Sequence, residues 1–253
     1  AKKSRDHTEN IFKYLGIPII VKRYKHNDEI KVKGQKSFKS FKYKVPSDPS
    51  SCAFFIVLTL LSKNCELRIK DVNVNKSRIG YIEILNKMGA KIKIKNTKKR
   101  YGEKQADIFV KSQSTLKKIN CPPNLNSNLI DEFLIIFLAA AKANGVSSFS
   151  NLGELNKKES PRLKLGSKLL NQLGIKTKLT KNSIKIFGNP GINLRKTIDI
   201  KNYYKDHRIF MTSVIAALTF GGKWKISDID SYKSSFPSFL KILKKLGYKF
   251  KLV

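Results

Sequence analysis

The last nine residues, KLGYKFKLV (Lys245–Val253), have three counterparts upstream: KMGAKIKIK (Lys87–Lys95), QLGIKTKLT (Gln172–Thr180) and, more faintly, YLGIPIIVK (Tyr14–Lys22). Each places Leu or Met before Gly and follows the Gly with a short apolar–polar alternation. The glycines are Gly16, Gly89, Gly174 and Gly247, spaced 73, 85 and 73 residues apart. Self-similarity at nearly constant spacing signals one supersecondary unit used several times.

The unit can be read outward from the glycine. RIGYIEILNKMG (Arg78–Gly89) carries Ile79, Ile82, Leu85 and Met88 at helical spacing, and RLKLGSKLLNQLG (Arg162–Gly174) and SFLKILKKLG (Ser238–Gly247) behave alike. The Gly closes each helix and a strand follows. Upstream of each lies a second, more apolar helix: Ser50–Ser62, Asp131–Gly145 and Asp206–Gly222. A helix apolar on nearly every side is buried all round. Strands follow these as CELRIKDV, VSSFSNL and KWKISDI, and two units add another, near Ile108 and Ile186. Three units therefore fill about Asp48–Val253, and a partial unit ends near Val45.

Composition narrows the classes of function. At 253 residues and 41% hydrophobic the chain can bury a core of one or two domains. No apolar run reaches the ~18 residues of a membrane helix. The opening AKKSRDHTEN is polar and lacks Met, so we expect no signal peptide and a natural start further upstream. Cys52, Cys65 and Cys121 form no CxxC pair, and His7, His26 and His207 are scattered. That argues against a disulfide framework or zinc site and for a cytoplasmic protein with buried or inert thiols. The net charge of +34 raises nucleic-acid binding. Yet much of the lysine alternates with apolar residues, as in KIKIK, and reads as the wet face of half-buried strands. KNTKKR (Lys95–Arg100) reads as a solvated loop, and no nucleic-acid partner is expected.

The helix starts carry a second signal. Asp48-Pro49 and Ser160-Pro161 look like N-caps followed by Pro at the first helical position. Asp206 and the Ser234-Ser235 pair before Phe236-Pro237 also suit caps. Arg162 and Arg208 fall in first turns, where a cation is normally disfavoured. Either an anionic ligand binds there, or these are tolerated surface arginines. Asp131 alone would read as a helix-start charge, and Lys158-Glu159 as a solvated pair.

In order along the chain stand SRDHTE (Ser4–Glu9), VPSDPSSCAFF (Val45–Phe55), NKSRIG (Asn75–Gly80), IDEFLIIFLAAAKANG (Ile130–Gly145), KESPR (Lys158–Arg162), DHRIFM (Asp206–Met211) and SFPSF (Ser235–Phe239). Together they resemble the carboxy-terminal part of the EPSP synthase (3-phosphoshikimate 1-carboxyvinyltransferase) family. The resemblance implies an α/β (α+β) fold of repeated βαβαββ units packed around buried helices, three to a domain. It implies that residues 1–47 end the amino-terminal domain and 48–253 form the carboxy-terminal one, with a hinge near Pro46–Asp48. The implied reaction transfers the enolpyruvyl group of phosphoenolpyruvate to the 5-hydroxyl of shikimate 3-phosphate and releases phosphate. No metal or organic cofactor is implied, and the full-length enzyme is expected to be monomeric.

The same resemblance assigns roles. Asp131 falls beside the ring hydroxyls as candidate base, Glu159 near the methylene carbon, and Lys158 against the ring substrate. Arg162 and Arg208 fall where phosphoenolpyruvate is clamped, and Arg5 on the side of the shikimate phosphate. Many relatives read ELRVKESDR where this chain reads ELNKKESPR, so Asn156, Lys157 and Pro161 are departures. Some relatives carry lysine where Ser234 stands, one step after Lys233. The rivals are a related enolpyruvyl transferase acting on a UDP-amino sugar, an RNA 3′-phosphate cyclase and a basic nucleic-acid-binding protein. KES and DHR favour the shikimate enzyme.

Overall fold

The computed structural model describes residues 5–34, 37 and 40–251, so Ser4 of the first motif lies outside it. The elements run α1 (His7–Tyr14), β1 (Ile19–Arg23), β2 (Asp28–Val32), α2 (Pro49–Leu61), β3 (Glu66–Asn73), α3 (Gly80–Lys87), β4 (Lys93–Arg100) and β5 (Glu103–Lys111). They continue β6 (Leu116–Lys117), α4 (Phe133–Ala141), β7 (Ala143–Phe149), α5 (Arg162–Gln172), β8 (Thr177–Leu179), β9 (Ile184–Gly188), β10 (Leu194–Ile200), α6 (His207–Phe220), β11 (Gly221–Ile226) and α7 (Phe239–Lys245).

The three apolar helices α2, α4 and α6 pack on one another at the centre, and every residue of α4 is buried. Sheets surround them in the orders β3-β5-β4, β6-β7-β9-β8 and β10-β11. Each unit opens with a short segment lying parallel to the strand that follows its buried helix. Ser47 bridges Val72 of β3, β6 pairs with β7, and β10 with β11. The residue pattern does not reveal these leading segments. TLKK is short and half lysine, LRKTIDI opens on an Arg-Lys pair after its Leu and carries an Asp, and parallel pairing is a long-range matter.

The four repeat glycines occupy one local structure. Their φ angles are 73°, 94°, 79° and 88°, in chain order. The Gly amide bonds the carbonyl three residues back, and the next amide reaches five back: Gly89 to Asn86 and Ala90 to Leu85, Gly174 to Asn171 and Ile175 to Leu170. Gly247, Tyr248, Gly16 and Ile17 repeat the pattern. This is the Schellman cap, which needs a left-handed residue at that position.

Several expectations need correction. KNTKKR belongs to β4, an edge strand whose residues are all exposed, with a bulge at Asn96 (φ 54°). It is solvated, but it pairs with β5. Tyr248–Lys251 form no strand: β4 and β8 each have a returning strand beside them, whereas none lies beside 248–251 among the described residues. Leu252 and Val253 lie outside the described residues. α4 starts at Phe133, so Asp131 precedes it. α7 starts after Ser238 without a side-chain cap, and Ser234 instead donates to the Ser231 carbonyl. Asp48 and Asp206 are caps: Asp48 accepts from the Ser51 amide at 2.8 Å, and Asp206 from that of Arg208 at 2.8 Å.

Gly174 and Gly247 have open space where a Cβ would stand, whereas at Gly188 a Cβ would lie 2.1 Å from the Ala143 carbonyl oxygen. Gly174→Ala or Gly247→Ala therefore meets backbone strain alone and should cost about 1–2 kcal/mol in urea unfolding. Gly188→Ala requires backbone displacement and should cost more. Equal effects at the three positions would contradict the assigned geometry.

Candidate active site

Three helix starts meet at one place. α5 packs closely on α4: a Cβ on Gly166 would stand 2.9 Å from Leu134 Cδ2. That contact sets Arg162, the first residue of α5, beside Asp131, two residues before α4. The start of α6 brings Asp206 and Arg208 to the same point.

Asp131, with a side chain 12% exposed, sits among four cations. Lys158 Nζ is 3.4 Å from Oδ1 and Arg162 Nη1 3.5 Å; Arg208 Nη2 is 4.0 Å from Oδ2, and Arg5 pairs with the same oxygen. Arg208 Nη1 also donates to the Asp131 carbonyl at 2.7 Å. Burial pushes the Asp131 carboxyl up, but Arg208, Lys158 and Arg5 pull it down further, to about 2.

Among the described residues Arg162 is the largest fully buried side chain, 2% exposed. Nε donates to Asp206 Oδ2 at 2.9 Å, Nη1 faces Asp131, and Nη2 lies 2.6 Å from Glu159 Oε2. The last contact is an ion pair out of line with the N–H bonds, so Nη2 makes no hydrogen bond. The oddity of a cation in a first turn is thus answered inside the protein, by three carboxylates. Asp206, itself buried, takes Ser160 Oγ on the same oxygen at 2.6 Å while its other oxygen caps α6. Burial raises the Asp206 carboxyl, and the bonds from Ser160 and Arg162 outweigh it and hold the group low.

That bond explains why Ser160 does not cap α5. Pro161 takes φ −71° and ψ 71°, and the Arg162 amide bonds the Ser160 carbonyl at 2.7 Å: an inverse γ-turn. The Pro161 departure fits this turn, since proline fixes φ there. Asn156 Oδ1 accepts the Lys164 amide in the first turn of α5, at 3.4 Å. Nothing in the structure explains Lys157. Lys233 pairs with Asp230 at 2.6 Å rather than with a member of this cluster.

All six candidates — Arg5, Asp131, Lys158, Glu159, Arg162 and Arg208 — therefore belong to one connected charge cluster. Sequence reading missed three participants: Ser160 and Asp206 as partners of Arg162, and Glu132. Glu132 is buried with Oε1 3.7 Å from Arg208 Nη1, and burial raises its carboxyl. Its only signal was adjacency to Asp131. The cluster can bind anions through Arg5, Lys158 and Arg208, and can accept a proton on a carboxylate. Among the described residues no group of His, Cys, Asp and Glu could hold a metal ion.

This fold is shared with enolpyruvyl transferases. The crystal structure of the enolpyruvyl transferase NikO from Streptomyces tendae superposes with a TM-score of 0.69 at 15% identity, a likeness of fold alone. Residues 1–243 match the family model for EPSP synthase (3-phosphoshikimate 1-carboxyvinyltransferase), and the chain belongs to that family. It is 38% identical over 250 residues to the 3-phosphoshikimate 1-carboxyvinyltransferase of Ruthia magnifica subsp. Calyptogena magnifica, covering 99% of this chain and 56% of that one. The counterpart from Thermodesulfovibrio yellowstonii is 38% identical over 246 residues, covering 96% and 55%. An EPSP synthase structure from Acinetobacter baumannii gives a TM-score of 0.86 at 32% identity, covering 96% and 55%. The chain spans about half the length of the curated relatives it matches.

Two measurements test the electrostatics. Asp206→Asn keeps a capping oxygen but removes the charge beside buried Arg162. It should lose about 3–5 kcal/mol in urea unfolding, and a loss under about 1 kcal/mol would refute the pairing. The Asp131 carboxyl sits below its ordinary value of 3.8, so its contribution to stability is present above about pH 4 and is lost as pH falls towards 2. The stability–pH slope in that window should flatten in Asp131→Asn, and an unchanged slope would show that the cations do not depress this group.

Proposed function

We propose that the chain is the carboxy-terminal part of an EPSP synthase. In the whole protein the enolpyruvyl group of phosphoenolpyruvate passes to the 5-hydroxyl of shikimate 3-phosphate and phosphate leaves. The observation that supports this reading best is Asp131 held among four cations where three helix starts meet. Both substrates carry several negative charges, and fixed cations at helix starts suit them.

The chemistry is addition followed by elimination. The attacking hydroxyl loses a proton to Asp131. Glu159, 60% exposed beside Arg162, serves the methylene carbon, which gains a proton and later loses one. Lys158 contacts the ring substrate. Arg208 supplies the positive charge that phosphoenolpyruvate requires, Arg162, buried and answered by carboxylates, holds Asp131 and Glu159 in place beside it, and Arg5 lies towards the shikimate phosphate. With a carboxyl near 2, Asp131 alone is a weak base at neutral pH. Substrate anions that engage Arg208, Lys158 and Arg5 offset their pull, so the base strengthens when substrate is bound.

In this reading residues 1–47 close the amino-terminal domain, 48–253 form the carboxy-terminal one, and the whole protein is a cytoplasmic monomer. The run 33–46, without helix or strand among its described residues, supports a boundary there. The 253-residue chain alone should release no phosphate from the two substrates, since much of the charged shell and cleft closure would be lacking. In the full-length enzyme Asp131→Asn should lower kcat by about two to four powers of ten. Arg208→Lys keeps the charge but loses the planar fork, so it should act mainly on KM for phosphoenolpyruvate. Steady-state phosphate release with each substrate varied is the assay. Turnover of a UDP-amino sugar in place of shikimate 3-phosphate, or a wild-type kcat in Asp131→Asn, would refute the proposal.

A further inference from the structure

Glu103, the first residue of β5, is a buried carboxylate, 4% exposed, that the chemistry above does not use. Its oxygens take donors from three stretches of chain. His7 Nδ1 at 2.8 Å and Asn10 Nδ2 at 3.1 Å come from α1, Asn73 Nδ2 at 3.3 Å from the end of β3, and Asn75 Nδ2 at 3.2 Å from the loop beyond. His7 Nε2 lies 3.4 Å from Arg78 Nη1. Arginine only donates, so Nε2 accepts and Nδ1 carries the proton given to Glu103.

The two residues before Glu103 press on the same segment. Gly102 (φ 80°) approaches α1 so closely that a Cβ would stand 2.5 Å from the Asn10 carbonyl oxygen. The Tyr101 ring centroid is 5.6 Å from that of Tyr14 and 4.7 Å from that of Tyr43. Every one of these partners but Asn73 and Asn75 lies before Asp48. Two residues ahead of His7, Arg5 reaches across to Asp131. The Arg5 side chain is 41% exposed, and an ion pair that open holds a long side chain only weakly. Something else must fix where it starts from.

We infer that Glu103 is a positioning residue: with Tyr101 and Gly102 it clasps α1 to the body of the domain and so holds Arg5 in register with Asp131. The link to catalysis rests on the enolpyruvyl-transfer reading, whereas the clasp rests on the contacts alone. A buried, multiply bonded carboxylate of this kind is costly to disturb, because buried Asn73 and half-buried His7 and Asn10 lose their shared acceptor together.

The first test is amide hydrogen exchange on the 253-residue chain. Glu103→Gln keeps the shape but turns one acceptor into an amide that faces donors. α1 should exchange about 10- to 100-fold faster while α4 does not change. The Arg5 guanidinium NMR signal should move to the position it takes in Asp131→Asn. Unchanged exchange in α1, or a wild-type Arg5 signal with α1 loosened, overturns the inference. If α4 also loosens, Asn10→Ala, which removes one donor, decides by the same two readouts. In the full-length enzyme Glu103→Gln should raise KM for shikimate 3-phosphate about tenfold, keep kcat within about threefold, and add nothing in an Arg5→Ala background. Additive effects would overturn the positioning role. A full-length wild type without turnover would instead sink the enolpyruvyl reading and leave the exchange result to judge the clasp.

Discussion

An arginine with 2% of its side chain exposed must be neutralised where it stands, and the site takes its shape from that requirement. Arg162 meets Asp206, Asp131 and Glu159. These carboxylates come from the approaches to three different helices, so the buried charge fixes how α4, α5 and α6 start relative to one another. Desolvating an ion is expensive, and removing one partner leaves an uncompensated charge. The helices supply the scaffold by packing, and the arginine supplies the register at their ends.

Satisfying Arg162 from within has a consequence for its neighbours. Asp206 and Glu159 are committed to Arg162, but Asp131 is also shared with Lys158, Arg5 and Arg208. With Arg162 answered by Asp206 and Glu159, the carboxyls of Asp131 and Glu132 face three cations, Lys158, Arg5 and Arg208, which leaves net positive charge at the mouth of the cluster. The cluster therefore has an inner part that is closed and an outer part that is open to anions.

The remaining charge of the chain behaves differently. In β4 the lysines stand in water on an edge strand, where single-sign charge also discourages pairing with another chain. The +34 thus divides between a solvated coat and a few cations held by carboxylates. Only the second kind is arranged by the fold.

The repeats were legible because their cause is local. A Schellman cap needs a left-handed residue, Gly supplies it without a Cβ, and the same letters recur at Gly16, Gly89, Gly174 and Gly247. The buried helices were legible because apolar residues on every side have one physical outcome. The Asp48 and Asp206 caps were legible because a capping side chain acts within three residues. The parallel segments Ser47, β6 and β10 were not, since their partners lie about 25–30 residues away and no short pattern encodes parallel pairing. Ser160 was misread because its hydroxyl goes to Asp206, 46 positions on, rather than to its own helix. KNTKKR was misread because its lysines suit a loop, and only β5 beside it makes it a strand. The six candidate residues were named by the family resemblance. That they form one cluster, that Arg162 is buried and that Glu103 gathers donors from three segments was decided by tertiary structure alone: a charge's neighbours are set by how distant segments pack, not by the residues beside it in the chain.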